Sequence, residues 1–173
     1  MRYNTIKFND CVNGEGLSVS LWVQGCPHHC EGCHNPETWN YIDGLLYTSE
    51  VEQNILNYLN AYGVKRNLSI LGGEPLMAQN IENLYSLVTK AKKQNPEIKI
   101  IIWTGFTIEQ LKSLEDPLLF ALLDSIDYLI DGKFELAERN ITLKWRGSPN
   151  QRILSHEWLH NYLKNDIIIS KEN

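Results

Sequence analysis

After position 33 the chain of 173 residues contains no cysteine, so its four thiols, Cys11, Cys26, Cys30 and Cys33, all lie near one end. A disulfide framework spreads its staples across a fold, and this distribution excludes one. Long apolar runs are missing too. The longest, Leu118 to Leu123, falls far short of the ~20 residues that cross a bilayer, so no membrane partner is expected. The opening residues, MRYNTIKFND, lack the apolar stretch of a secretory signal, and a cytoplasmic location is the expectation. Positive charge is in deficit. Sixteen Lys plus Arg against 21 Asp plus Glu leave a net charge of −5, which excludes a nucleic-acid binder working through a general basic surface. There is no Pro/Gly/Ser-rich linker, internal repeat or low-complexity tract. With 43% apolar and 21% charged residues, the chain reads as an ordinary globular domain large enough for a substantial core.

What is present is an alternation of strand and helix. Ser18 to Gln24 alternates small or polar with apolar side chains and predicts a strand. Ser49 to Ala61 predicts a helix, with Ser49 and Glu52 spaced as a capping box. Asn67 to Leu71 is a short strand ending at Gly72-Gly73, and Gln79 to Gln94 an amphipathic helix stopped by Asn95-Pro96. The β-branched run Ile98 to Thr104 predicts a strand covered on both faces. Thr107 and Gln110 form a second capping box, Pro117 opens another helix, and Ile126 to Ile130 and Arg152 to Leu154 are the remaining strands. Strands separated by helices imply right-handed crossovers and a mainly parallel sheet. The length is too short for a closed eight-stranded barrel, which leaves a partial, open α/β barrel or a doubly wound sheet. In both, chemistry belongs at the carboxyl ends of the strands. Those ends run into Gly25-Cys26, Gly72-Gly73-Glu74-Pro75, Trp103-Thr104-Gly105 and Asp131-Gly132-Lys133, so the candidate motifs share one rim.

The segment Cys26-Pro-His-His-Cys30-Glu-Gly-Cys33 can wrap three thiolates around one inorganic centre. A tetrahedral structural zinc needs a fourth ligand, which His28, His29 or His34 could supply. A [4Fe–4S] cluster held at three irons, with the fourth open, is the other candidate. Spacing alone leaves both standing. Cys11 is expected to be a small buried apolar side chain, with ligation of the centre as its alternative role.

Gly72 and Gly73 have no Cβ and let a bound molecule approach the backbone closely. Exposed carbonyls and the Glu74 carboxylate suit an ammonium group rather than a phosphate, and no Walker or G-x-G-x-x-G pattern is present. Asp131 suits ribose hydroxyls and Lys133 a carboxylate. The stretch Lys144 to Arg152 is locally basic and reads as a loop able to grip an anion or a partner surface.

In combination, Cys-x₃-Cys-x₂-Cys after one strand and Gly-Gly-Glu-Pro after the next resemble the radical S-adenosylmethionine (SAM) superfamily. Val12-Asn-Gly-Glu-Gly16, Trp39, Trp103-Thr-Gly105, Asp131-Gly-Lys-Phe134 and Trp145-Arg-Gly-Ser-Pro-Asn-Gln151 narrow the resemblance to the branch that activates anaerobic (class III) ribonucleoside-triphosphate reductases. It covers about residues 3 to 152. Two positions depart from the pattern: Gly32, where the superfamily often has an aromatic residue, and Glu15, where relatives often have proline.

The resemblance implies a partial, open (β/α) barrel over residues 1–155, with 156–173 as an extension that is either an edge element, its 167–170 segment a strand, or a poorly ordered tail. It implies that Cys26, Cys30 and Cys33 ligate a [4Fe–4S] cluster whose open iron chelates SAM. Gly72, Gly73 and Glu74 would hold the methionine ammonium, Asp131 the ribose and Lys133 the methionine carboxylate, with Trp103, Thr104 and Gly105 lining the adenosine pocket. The implied activity is reductive cleavage of SAM to methionine and a 5′-deoxyadenosyl radical, which generates a glycyl radical on the anaerobic reductase, with a flavodoxin- or ferredoxin-type protein as electron donor. The alternatives are an activase of another glycyl-radical enzyme of the pyruvate formate-lyase type, a small radical SAM synthase, a scaffold on the reductase that does not turn over, and a zinc-binding interaction module without catalysis.

Overall fold

The structure, a computed structural model, describes residues 1–169, and of 165–169 only the helical backbone. It is a mixed α/β fold around one seven-stranded sheet. The strands are β1 (Arg2–Asp10), β2 (Ser18–Val23), β3 (Leu45–Leu46), β4 (Asn67–Gly72), β5 (Ile100–Trp103), β6 (Tyr128–Asp131) and β7 (Arg152–Ser155). Their order across the sheet is β3-β1-β2-β4-β5-β6-β7. The central four, β2, β4, β5 and β6, are parallel, whereas β1, β3 and β7 run antiparallel to their neighbours. The sheet does not close on itself.

The parallel strands succeed one another in chain order with no reversal, so the sheet is singly wound. A doubly wound sheet has a switch point, and this one has none. Right-handed crossovers in one direction put α1 (Ser49–Leu59), α2 (Ala78–Gln94) and α4 (Pro117–Leu123) on one face, and α5 (His156–Ile169), which follows β7, packs beside α4. α3 (Ile108–Lys112) is a single turn after β5. Alternation decides which side chains meet those helices. Val19, Leu21 and Val23 of β2 point into the core with Leu68, Ile70, Ile100, Ile102 and Leu129. Ser18 and Trp22 point to the other side, where small side chains leave room.

That second side is covered by the loop around Gly14. The Ser69 hydroxyl donates to the Asn13 carbonyl at 2.7 Å, and the Trp145 indole N–H donates to the Gly14 carbonyl at 2.9 Å. The Asn-Gly-Glu-Gly and Trp-Arg-Gly-Ser stretches, 131 residues apart at these two residues, therefore meet over the sheet.

Several local expectations shift. β1 and the two-residue β3 were not expected, and Ile98 and Lys99 precede β5 rather than open it. The cap of α1 is Thr48, whose hydroxyl accepts from the Val51 N–H at 3.3 Å, one residue before the expected Ser49. Glu52 is spent on Lys90 and Ser86 instead of a capping box. The Thr107–Gln110 capping box is present. Residues 167–169 continue α5 and form no edge strand, and Ser170 to Asn173 lie outside the described residues. Among the described residues, no helix is long and apolar enough to cross a membrane.

Candidate functional site

Gln24 ends β2 and organises the cysteine loop. Its amide Nε2 donates to the carbonyls of Glu37 and Asn40, at 3.0 and 2.8 Å. The backbone joins in, with Gly25 N–H to the Thr38 carbonyl and Cys26 N–H to that of Trp39. This clamp directs residues 26–33 over the carboxyl end of the sheet. There they line a cavity of about 650 Å³, together with Gly72, Gly73, Trp103 and the 145–147 segment. Its size is in the usual range for a small-ligand site.

Each of the three thiols is addressed by backbone N–H groups. The backbone N–H groups of His28 and His29 favour the Cys26 thiolate and that of Phe134 the Cys30 thiolate, and the Asn35 N–H reaches the Cys33 sulfur at 3.4 Å. Burial pushes the Cys26 thiol up to about 11 and also raises Cys30, so a cation must offset the cost of their thiolates. Spacing separates the two candidate centres. Thiolates 2.3 Å from one zinc lie within about 4 Å of one another. Among the described residues, no three of the cysteines and neighbouring histidines bring ligand atoms within 4.8 Å of each other. Backbone N–H groups aimed at sulfurs set wider apart fit an iron–sulfur cluster. Of the candidate histidines, His28 bonds to Glu74 through Nε2, His29 packs on Trp39 with ring centroids 4.7 Å apart, and His34 lines the cavity. Cys11 is exposed at the end of β1, not buried as expected, and it does not line the cavity.

Glu74 is fully buried, and all its acceptor capacity is used. Oε1 accepts from the Leu76 N–H at 2.8 Å and the Thr104 hydroxyl at 2.7 Å. Oε2 accepts from the Gly105 N–H and from His28 Nε2–H, both at 2.8 Å. A carboxylate offers about four lone-pair sites, so nothing remains for a ligand ammonium. One side chain thus fastens the cysteine loop, the Gly-Gly-Glu-Pro corner and the Trp-Thr-Gly corner to each other. The join is tight. A Cβ on Gly105 would overlap the His28 ring, and one on Gly73 would stand 2.5 Å from the Gly25 carbonyl.

Asp131 and Lys133 also depart from expectation. Asp131 is buried and paired bidentately with Arg152, at 2.9 and 2.5 Å, while its Oδ2 also accepts the Ile108 N–H at 2.8 Å. A buried carboxylate needs such partners, and these point it away from the cavity. Arg152 grips Glu109 as well and holds that carboxyl down at about 2. Lys133 is exposed and off the cavity wall, although its charge lowers the Cys30 thiol against the effect of burial. Trp103, Thr104, Gly105, Gly72 and Gly73 do line the cavity.

The basic Lys144 to Arg152 loop, expected to grip an anion or a partner surface, brings Arg146 to this space, and Trp22, which sequence reasoning passed over, lines it as well. The Trp22 indole N–H and Arg146 Nε are buried donors with no partner in the protein. Both are donors that an acceptor on a ligand in the cavity could satisfy. The alternation of β2, which puts Trp22 opposite the core residues, was the available signal.

Residues 12–154 match the family described as a 4Fe-4S single cluster domain. A protein of Haemophilus influenzae is 40% identical over 154 residues, covering 88% of this chain and 97% of its own length. One of Enterobacteria phage T4 is 40% identical over 166 residues, covering 93% and 100%, and one of Escherichia coli K12 is 37% identical over 152 residues, covering 87% and 96%. All three are named anaerobic ribonucleoside-triphosphate reductase-activating protein.

Proposed function

Because the chain belongs to the family of anaerobic ribonucleoside-triphosphate reductase-activating proteins, we infer that it is a radical SAM activase that generates a glycyl radical on that reductase. The observation that carries this reading is the set of three thiols, Cys26, Cys30 and Cys33, on the same cavity as the Gly72-Gly73 and Trp103-Gly105 strand ends. The chemistry that a bound, reduced [4Fe–4S] cluster would supply is one electron for reductive cleavage of SAM to methionine and a 5′-deoxyadenosyl radical, which would take a hydrogen atom from a glycine Cα of the reductase.

Cys26, Cys30 and Cys33 would hold the cluster. Glu74 is saturated, so the methionine ammonium falls to the backbone carbonyls of Gly72 and Gly73, with Glu74 setting their position through its grip on His28, Thr104 and Gly105. The methionine carboxylate is assigned to Arg146, a cation on the cavity wall whose Nη1 donates to the Gln151 carbonyl and whose Nε has no partner in the protein, in place of Lys133. Asp131 acts at one remove: paired with Arg152, it fixes the strand end from which Gly132 lines the cavity. Trp103 and Trp145 form apolar walls that exclude water, with the Trp103 indole donating to the Trp145 carbonyl at 2.8 Å.

The open sheet is read as a partial (β/α) barrel of the radical SAM type over residues 1–155, with 156–173 as an extension. Its lack of closure leaves a side by which the glycine-bearing segment of a folded partner reaches the rim. A flavodoxin- or ferredoxin-type donor in the cytoplasm completes the proposal.

Anaerobic reconstitution, dithionite reduction and addition of SAM test it. Release of 5′-deoxyadenosine is expected from the wild type and not from Cys30→Ala, and a glycyl-radical doublet on the reductase should follow. An inert wild type that binds one zinc and no iron would sink the reading.

A further inference from the structure

We propose that Asp124, His156 and His160 form a binding site for a divalent transition-metal ion of the zinc class, at the opposite end of the sheet from the cysteine loop. Asp124 caps the carboxyl end of α4, and His156 and His160 occupy the first turns of α5. The sheet fixes their place. β6 starts just after the α4 cap, and β7 ends at Ser155 opposite Tyr128, so both helix ends meet at the amino rim of the parallel strands. The His156 N–H donates to the Asp127 carbonyl at 2.8 Å and anchors the start of α5 there. Leu159 and Leu163 are buried in the core beneath it, so the outward face of α5 is held in one orientation.

Two histidines four residues apart lie on one helix face, and their imidazole rings stand side by side with centroids 5.8 Å apart at 27°. Asp124 faces them. His160 Nδ1 lies 2.6 Å from its Oδ1, and His156 Nε2 lies 3.0 Å from its carbonyl oxygen. One ligand atom from each of the three residues falls within 4.8 Å of the others, the only such trio among the described residues. A metal there takes the place of the proton shared between imidazole and carboxylate.

Two imidazole nitrogens and one carboxylate select zinc, nickel, cobalt or copper over magnesium or calcium. Asp124 and His156 are exposed and His160 is half-buried, so an ion can enter from solvent and complete its shell with water. The sequence His156-Glu157-Trp158-Leu159-His160 has the spacing by which metallopeptidase helices hold zinc. The assignment here is metal holding alone, since Glu157 is not one of the three converging groups. A bound ion ties α5 to α4 and raises the stability of the folded chain by mass action.

The test uses full-length, cluster-loaded protein under anaerobic conditions, titrated with Zn²⁺ against a chromophoric chelator, with melting temperature followed in parallel. Uptake of one Zn²⁺ per chain beyond the iron content and a rise in Tm are expected. The double substitution His156→Ala, His160→Ala should weaken uptake by roughly 100-fold and abolish the Tm rise while iron content stays the same. Asp124→Asn keeps the hydrogen-bonding shape on the surface and should weaken uptake by about tenfold. A Cys26→Ser, Cys30→Ser, Cys33→Ser protein should take up Zn²⁺ as the wild type does. Equal uptake by wild type and double variant, no uptake by wild type, or loss of uptake in the cysteine variant each overturns the proposal.

Discussion

The two rims of the sheet use charge in opposite ways. At the carboxyl rim, Glu74 and Asp131 are buried and bonded wholly to protein, so neither carboxylate lines the cavity, whose wall carries thiols, aromatic rings and the cations Lys7 and Arg146. At the amino rim, charges meet at the surface: Asp127 accepts from Lys92, Lys99 and the Ile100 N–H at 2.7, 3.2 and 2.8 Å. One rim spends its carboxylates on holding loops still around the cleft. The other spends them on fastening helices and strand starts. A site for radical chemistry gains from the first arrangement, because side chains locked by hydrogen bonds cannot drift toward the reacting atoms.

The comparison can be broken most directly at Glu74. In Glu74→Gln an amide NH₂ faces hydroxyl, N–H and imidazole donors, so the three corners separate. 5′-Deoxyadenosine formation should fall by about 100-fold, the usual consequence of a misplacement near 1 Å. Retention of wild-type turnover would show that the corners hold without it.

Arg146→Gln is expected to raise the KM for SAM by about tenfold or more, because it removes a charged donor from the cavity. Unchanged KM would return the methionine carboxylate to Lys133. Asp131→Asn should do the reverse, costing about 2 kcal/mol of unfolding free energy, because charge-assisted hydrogen bonds to Arg152 are lost while the half-exposed guanidinium keeps Glu109. It should leave the KM for SAM near wild type in assays well below the melting temperature. A KM increase without loss of stability would make Asp131 a ribose contact after all.

The smallest effect belongs to the amino rim. Burial alone would raise the Asp127 carboxyl, but hydrogen bonds from Lys92, Ile100 and Lys99 hold it below its ordinary 3.8. A lowered native pKa means stability that is present above that ordinary value and is lost as pH falls toward the native one. In cluster-free protein, Asp127→Asn should cost about 2 kcal/mol at neutral pH, and the difference from wild type should shrink below about pH 4. SAM cleavage by the loaded protein should not change. A turnover defect in this variant would erase the distinction between the rims.

The sequence made the parallel strands, their glycine-marked ends and the cysteine loop legible, because period, β-branching and turn residues are local signals. It did not disclose β1, whose alternation in Thr5-Ile6-Lys7-Phe8 is diluted by polar neighbours. Nor could it separate Thr48 from Ser49 as the α1 cap, since both hydroxyls are competent and one N–H decides. Residue type showed that Glu74 and Asp131 could meet cationic or hydroxyl groups. What saturates them, His28 across 46 residues and Arg152 across 21, exists only once the chain has folded. The expectation that Cys11 is buried failed for a local reason: Asp10 accepts from the Val12 N–H and turns the chain there, leaving the thiol outside.

The bond from Trp145 to Gly14 bears on the order of events during synthesis. The cysteine loop emerges from the ribosome early, but its neighbours emerge late: Phe134, whose N–H serves Cys30, Leu136, against which Gly32 packs, and Trp145 itself. Until roughly the last sixth of the chain has been made, the loop has neither roof nor far wall. Contacts so distant in sequence form slowly and last. On the proposed reading, a chain truncated before residue 145 should expose its thiols to oxidation and stray metals rather than hold a partly built centre, which thiol titration of such a fragment would check.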